Sequence, residues 1–274
     1  MVVEVADQAL RELQEGEQLY PDLAPVFALH RVLRGAQSDA RSELAHQSCG
    51  PVDDSRLARG EPALTFGSLH VQPEALERLA GRIEPIIAER CAFEGRATDE
   101  PVDWMAEARK WFESRLPPAG VGGSESSLTR IVAAYALMPW LEKAAESCAG
   151  QADLDGWNRA YCPMCGGYPD LAFLTRDSGE RLLACARCST QWRYRRVGCP
   201  YCASVQGKAS YYPGPERGDR LYVCGRCGAY LKTMDLRERA APKSVLYERV
   251  RLVPLDLAAE KAGYHVGWSP GQET

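Results

Sequence analysis

Four Cys-x-x-Cys pairs constrain this chain more than any other feature: Cys162/Cys165, Cys185/Cys188, Cys199/Cys202 and Cys224/Cys227. Two intervening residues turn the backbone so that both sulfurs of a pair face one point. A tetrahedral ion then needs a second such knuckle from elsewhere in the chain. Nineteen residues separate Cys165 from Cys185, and twenty-one separate Cys202 from Cys224. Each gap accommodates one β-hairpin that returns the second knuckle to the first. The ten residues between Cys188 and Cys199 read as a connector. A chain with eight thiols so spaced is expected to build two tetrathiolate centres of the ribbon or rubredoxin-like kind.

The two halves of the motif repeat. Arg181-Leu182-Leu183-Ala184-Cys185-Ala186-Arg187-Cys188 parallels Arg220-Leu221-Tyr222-Val223-Cys224-Gly225-Arg226-Cys227, and each module opens on Cys-Pro-x-Cys. Duplication favours sequential pairing, the first two knuckles on one ion and the last two on another. Interleaved pairing, first with third and second with fourth, is the alternative. Disulfides require an oxidising compartment. The first seven residues lack the basic and apolar pattern of a signal peptide. The apolar run Ile131 to Leu141 is far short of the ~20 residues that span a bilayer. A cytoplasmic, metal-binding chain is therefore expected. Zinc would make the centres structural, whereas iron would permit one-electron chemistry. The aromatics around the knuckles (Tyr161, Tyr168, Trp192, Tyr194, Tyr201, Tyr222 and Tyr230) could shield an iron centre or simply form small apolar cores. Gly166 and Gly228 follow the second cysteine of their knuckles, where a left-handed residue aims amides at sulfur. Ser189 and Ala203 occupy that place in the other two.

Charge divides the chain near residue 157. Residues 1–156 hold 15 Lys+Arg and 26 Asp+Glu, a net of −11, and residues 157–274 hold 18 and 11, a net of +7. Eight thiolates on two divalent ions lower the second half to about +3. The stretch from Arg187 to Arg196 interleaves arginine with aromatics, as single-strand nucleic-acid surfaces do. A strand with Trp192 and Tyr194 on one side and Arg193 and Arg195 on the other gives the same pattern. With a pI near 5.7, nucleic acid is disfavoured as a partner.

The acidic half has helical periodicity. Ala9, Leu10 and Leu13 share a face, as do Leu23, Val26, Phe27, His30 and Leu33. Residues 50–62 read as a loop. The spacing predicts a helix over 73–93, with Pro73 in its first turn and a possible kink at Pro85. Another starts near Pro101 and carries Trp104, Ala108, Trp111 and Phe112. Residues 117–123 read as a break, and a further helix runs from Ser124 or Ser127 to Cys148, interrupted at Pro139. Cys49, Cys91 and Cys148 stand alone and read as small buried hydrophobes. His30, His46, His70 and His265 form no ligand pair. There is no Gly-rich phosphate loop and no nucleophile elbow, and no paired-carboxylate motif stands out. The expected fold is α+β: an all-helical bundle over 1–156, two tandem rubredoxin-like or zinc-ribbon modules over 157–197 and 198–235, and a strand or helix tail over 236–274.

Blocks between the cysteines carry a more specific signal. Cys162-Pro163-Met164-Cys165-Gly166, Cys188-Ser189-Thr190-Gln191-Trp192, Arg196-Val197-Gly198-Cys199 and Cys224-Gly225-Arg226-Cys227-Gly228-Ala229-Tyr230-Leu231-Lys232 together resemble the formate dehydrogenase accessory proteins of the FdhE type. The segment Glu248 to Leu257 departs from that pattern, being more basic and broken by Pro254. The resemblance implies a non-enzymatic cytoplasmic factor that binds the catalytic subunit of a molybdenum- or tungsten-dependent formate dehydrogenase and is needed for its activity. It also implies iron at the eight cysteines, with zinc as the other candidate. A rubredoxin-like electron carrier and a zinc-ribbon nucleic-acid binder are the alternatives to such an assembly factor.

Overall fold

The structure is a computed structural model that describes residues 2–44, 52–91, 101–118, 128–205, 209–239 and 241–267. Its acidic half is helical. Helix α1 spans Val2–Leu19 and, after a tight 3-10 turn at Pro21–Leu23, α2 spans Ala24–Glu43. Leu13, Phe27 and Leu33 are buried, as their helical spacing requires. The presumed loop at 50–62 holds a short helix, α3 (Asp54–Ala58), started by Asp53, whose carboxylate accepts from Ser55 N at 3.0 Å. Helix α4 (Pro73–Arg90) buries Leu76, Leu79, Ile83 and Ile87. Helix α5 (Trp104–Ser114) is capped by Asp103, which accepts from Ala106 N at 2.9 Å.

Helix α6 (Leu128–Ala149) runs through Pro139, where the sequence predicts an interruption. It is buried on all sides, from Ile131 and Leu137 to Trp140 and Leu141, against α2, α4 and α5. That packing outweighs the hydrogen bond lost at Pro139. The expected start of this helix at 124–127 lies outside the described residues. Among the described residues, no helix is long and apolar enough to cross a membrane.

The basic half is one mixed sheet. Strands β1 (Pro169–Leu174) and β2 (Arg181–Cys185) form the hairpin in the first cysteine gap. Strands β4 (Ala209–Pro213) and β5 (Asp219–Cys224) form the hairpin in the second. Each module adds a third antiparallel strand, β3 (Gln191–Tyr194) and β6 (Ala229–Asp235). Beyond the sheet, α7 (Val245–Arg251) and α8 (Val253–Lys261) follow, with Pro254 in the first turn of α8, and β7 (His265–Val266) pairs with β6. The strand order is β3-β2-β1-β6-β5-β4, so the modules join through β1 and β6, which run parallel from Leu171 opposite Lys232 to Leu174 opposite Asp235.

The cores show how the halves meet. The main core contains residues of α2 and α4–α6 together with Cys162, Met164, Cys165, Leu183, Cys185, Cys188 and Trp192. Leu171, Phe173, Leu221, Tyr230 and Met234 pack instead with Leu252, Leu255 and Ala259 of the C-terminal helices. A third cluster, Leu13 and Phe27 with Tyr247 and Val250, fastens α7 to α1 and α2. The charge changes near residue 157, but the packing is continuous across it.

Candidate metal centres

The cysteines gather as two groups in sequential order. Cys162, Cys165, Cys185 and Cys188 form one, and Cys199, Cys202, Cys224 and Cys227 the other, with all four sulfurs of a group within 4.8 Å of one another. In the first, Sγ atoms of Cys162 and Cys188 lie 3.6 Å apart, and those of Cys165 and Cys185, and of Cys165 and Cys188, 3.5 Å. In the second, Cys199 and Cys227 are separated by 3.8 Å and Cys202 and Cys224 by 3.7 Å. A tetrahedron of metal–sulfur bonds of ~2.3 Å has an edge of ~3.8 Å, whereas a disulfide would bring two sulfurs to ~2.05 Å. Each group can therefore hold one tetrahedral ion.

The turns are built alike. Gly166, Ser189, Ala203 and Gly228 all have positive φ, at 73°, 60°, 56° and 72°. Three of them close the turn by donating to the carbonyl of the first cysteine: Gly166 to Cys162 at 2.9 Å, Ser189 to Cys185 at 3.1 Å and Gly228 to Cys224 at 2.9 Å. Amides of Arg187 and Tyr201 each reach sulfur, on Cys185 and Cys199, at 3.4 Å. Such donors stabilise thiolate charge.

Chemistry of the donors agrees with geometry. Burial pushes the Cys162 and Cys188 thiols well up. It acts on Cys165 in the same sense, but hydrogen bonds from the other three cysteines and the charge of Arg187 override it and hold Cys165 well below the ordinary thiol range. Left to themselves, these buried sulfurs share protons; a cation is what permits all four to ionise together. In the second group burial raises Cys227 to about 11, while backbone amides of Cys227 and Arg226 outweigh burial and bring Cys224 down to about 7.

The groups differ in exposure. All four cysteines of the first are buried, whereas Cys199, Cys202 and Cys227 of the second are half-buried. The first is also tied into the helical half: Ala63 N donates to Pro163 O and Leu64 N to Met164 O, both at 2.8 Å. Within its own module, Trp192 Nε1 donates to Arg159 O at 3.0 Å.

Two supporting arginines were not singled out by sequence. Arg249 of α7 forms a fork with Asp170, at 2.7 and 3.0 Å, donates to Ser189 Oγ at 2.9 Å, and also bonds the carbonyl of Cys185. Arg187 is fully buried beneath α5, although the sequence places it in an exposed-looking basic stretch. In β3 the alternation holds: Trp192 is buried and Arg193 exposed. His265 lies beside the second group without ligating it, its Nε2 2.7 Å from the carbonyl of Cys227. Of the lone cysteines, Cys148 is buried, but Cys91 is exposed because α4 ends at Arg90 and leaves it in the capping position. Cys49 and His46 lie outside the described residues.

Known proteins share parts of this sequence and its fold. The family description "FdhE, central domain" matches residues 161–196. A protein FdhE homolog of Aquifex aeolicus is 27% identical over 261 residues, covering 91% of this chain and 86% of that protein. A protein FdhE homolog of Proteus mirabilis is 30% identical over 130 residues, covering 46% of this chain and 42% of its own length. Protein FdhE of Escherichia coli O127:H6 is 32% identical over 113 residues, covering 40% and 36%. The latter two matches thus span less than half of those relatives. The crystal structure of the FdhE protein from Pseudomonas aeruginosa superimposes with a TM-score of 0.65 over 99% of this chain and 98% of that one, at 18% identity, so the fold is shared.

Proposed function

We propose that this chain, which belongs to the FdhE-like family, is a cytoplasmic accessory factor that binds the catalytic subunit of formate dehydrogenase and is needed for that enzyme to mature or become active. The observation that carries this reading is the pair of tetrathiol groups together with the family blocks set around them, Ser189 to Trp192 and Gly228 to Lys232. All eight cysteines act as metal ligands, with iron favoured by the family resemblance and zinc the alternative. The ions serve a binding scaffold, and the chain itself performs no catalysis. Its acidic helical half and basic sheet half offer a client two surfaces of opposite sign.

Co-purification with the formate dehydrogenase catalytic subunit, combined with formate oxidation in a strain lacking this chain, tests the proposal. The subunit is expected to co-purify, and activity should fall in the deletion strain and return on complementation. Full activity without the chain overturns it. The half-open second centre favours one further reading, an electron carrier. Iron-loaded protein would then be red and bleach on reduction; a colourless preparation with stoichiometric zinc removes that reading.

A further inference from the structure

Arg187 sits between Cys185 and Cys188, inside the second knuckle of the first centre, and is wholly inaccessible to solvent. Its guanidinium lies 4.2 Å from the centre of the Trp111 ring and 5.2 Å from that of Phe112. Nη1 donates to the Phe112 carbonyl at 3.1 Å, while Nε and Nη2 have no hydrogen-bond partner. Arginine keeps its proton under all folding conditions. A buried, incompletely bonded cation is strongly unfavourable unless negative charge is close by. Aromatic faces supply part of that compensation. The rest is available in sulfur. A methyl group placed on Gly167 would lie 2.6 Å from Arg187 Cδ and 3.1 Å from Cys185 Sγ, so the arginine stem and the sulfur flank the same point.

Four thiolates on a divalent ion carry −2, and on a trivalent ion −1. We propose that Arg187 is the residue that couples the first centre to the helical half: a loaded centre supplies the buried counter-charge that seats Arg187 on Trp111 and closes α5 against the sheet. The inference rests on reading the first group as a metal centre. The internal repeat provides a comparison within the molecule. Arg226 is the counterpart of Arg187 in the second module, and it is exposed. Only the first centre therefore works as a latch between the halves. Its other knuckle touches the helical half through the bonds of Pro163 and Met164 to Ala63 and Leu64.

The test uses the full-length chain, stripped of metal anaerobically and reloaded with cobalt(II). Thiolate-to-cobalt absorption reports loading. Limited proteolysis within residues 149–162, between α6 and the first knuckle, reports closure. In the unmutated chain, loading is expected to slow cleavage there at least tenfold. Arg187→Leu needs no counter-charge, so its cleavage rate should change less than twofold on loading. Arg187→Lys, which keeps the charge, and Arg226→Leu, which lies outside the latch, should both retain the tenfold effect. Equal cleavage of the stripped and loaded unmutated chain overturns the proposal, as does undiminished protection in Arg187→Leu. If Arg187→Leu fails to take up cobalt, the decision falls to the unmutated chain and Arg187→Lys, both of which must show metal-dependent protection. An absence of thiolate-to-cobalt absorption in the unmutated chain instead sinks the metal reading itself.

Discussion

Four backbone positions set the geometry of both centres. Gly166, Ser189, Ala203 and Gly228 share one left-handed conformation, although only two of them are glycine. For an L-residue that conformation costs about 1–2 kcal/mol. Ser189 has a compensating use, since its hydroxyl accepts from Arg249. Nothing in the structure explains the alanine at 203. Gly228→Ala isolates the conformational cost, because its new methyl would meet only the His265 ring, at an ordinary 3.5 Å. The variant should lose about 1–2 kcal/mol of stability. Ala203→Gly should gain up to about 1 kcal/mol, the strain relieved exceeding the entropy added to the unfolded chain. Urea midpoints of the metal-loaded chains measure both, and a lower midpoint for Ala203→Gly would refute the claim of strain. These residues also mark how far the sequence can be read. Cys-x-x-Cys spacing reveals the ligand groups because two sulfurs three residues apart are a local device. Whether Arg187 faces water or Trp111 depends on a helix more than seventy residues away, and no local pattern contains that.

Elements show the same division between local and distant causes. Helices α2, α4 and α5 follow from apolar spacing and, in α4, from Pro73 in the first turn, signals that act within a turn or two. Continuity of α6 through Pro139 does not follow, because it depends on neighbours packed on every side. Least legible is the role of α7. In sequence it is a basic segment followed by Pro254; in the fold Arg249 reaches from it to Asp170 at the start of β1 and to the Ser189 turn. The pair is mostly shielded, with side-chain exposures of 14% and 23%. Removing one partner of such a pair leaves a charge without its counter-ion. Arg249→Met should therefore cost about 2–4 kcal/mol, somewhat less than a fully buried pair would. Asp170→Asn with Arg249→Met should recover part of that loss. Thermal or urea denaturation of the single and double variants measures the coupling. Additive losses would show that the arginine acts through its other contacts, to Ser189 and Cys185, and not through the carboxylate.

At the scale of the molecule, duplication has produced two modules with unequal surroundings. Corresponding strands run in the same direction along the sheet, and the modules join through parallel pairing of β1 with β6. The repeat is visible in the sequence, but the register between the modules is not, because Leu171 and Lys232 carry no mark of their pairing. Helices α4, α5 and α6 pack mainly on the first module, while α8 lies against β6. The first group lies in the main core with α4, α5 and α6, while Tyr211, Val197 and Val205 stand exposed around the second module. Ligand exchange requires an incoming ligand or proton to reach a sulfur, so access sets its rate more than bond strength does for two chemically identical tetrathiolate sets. Metal release to an excess of a high-affinity chelator should accordingly have two phases of equal amplitude, the faster from Cys199, Cys202, Cys224 and Cys227, with rates differing by at least about tenfold, given that local opening rather than global unfolding admits the chelator to the second group. Cys199→Ser should weaken or abolish the fast phase and leave the slow one unchanged. Release followed with a chromogenic chelator in both chains is the measurement. A single phase in the unmutated chain, or loss of the slow phase in Cys199→Ser, would show that the two centres open together and that the cover of helices over the first confers no protection.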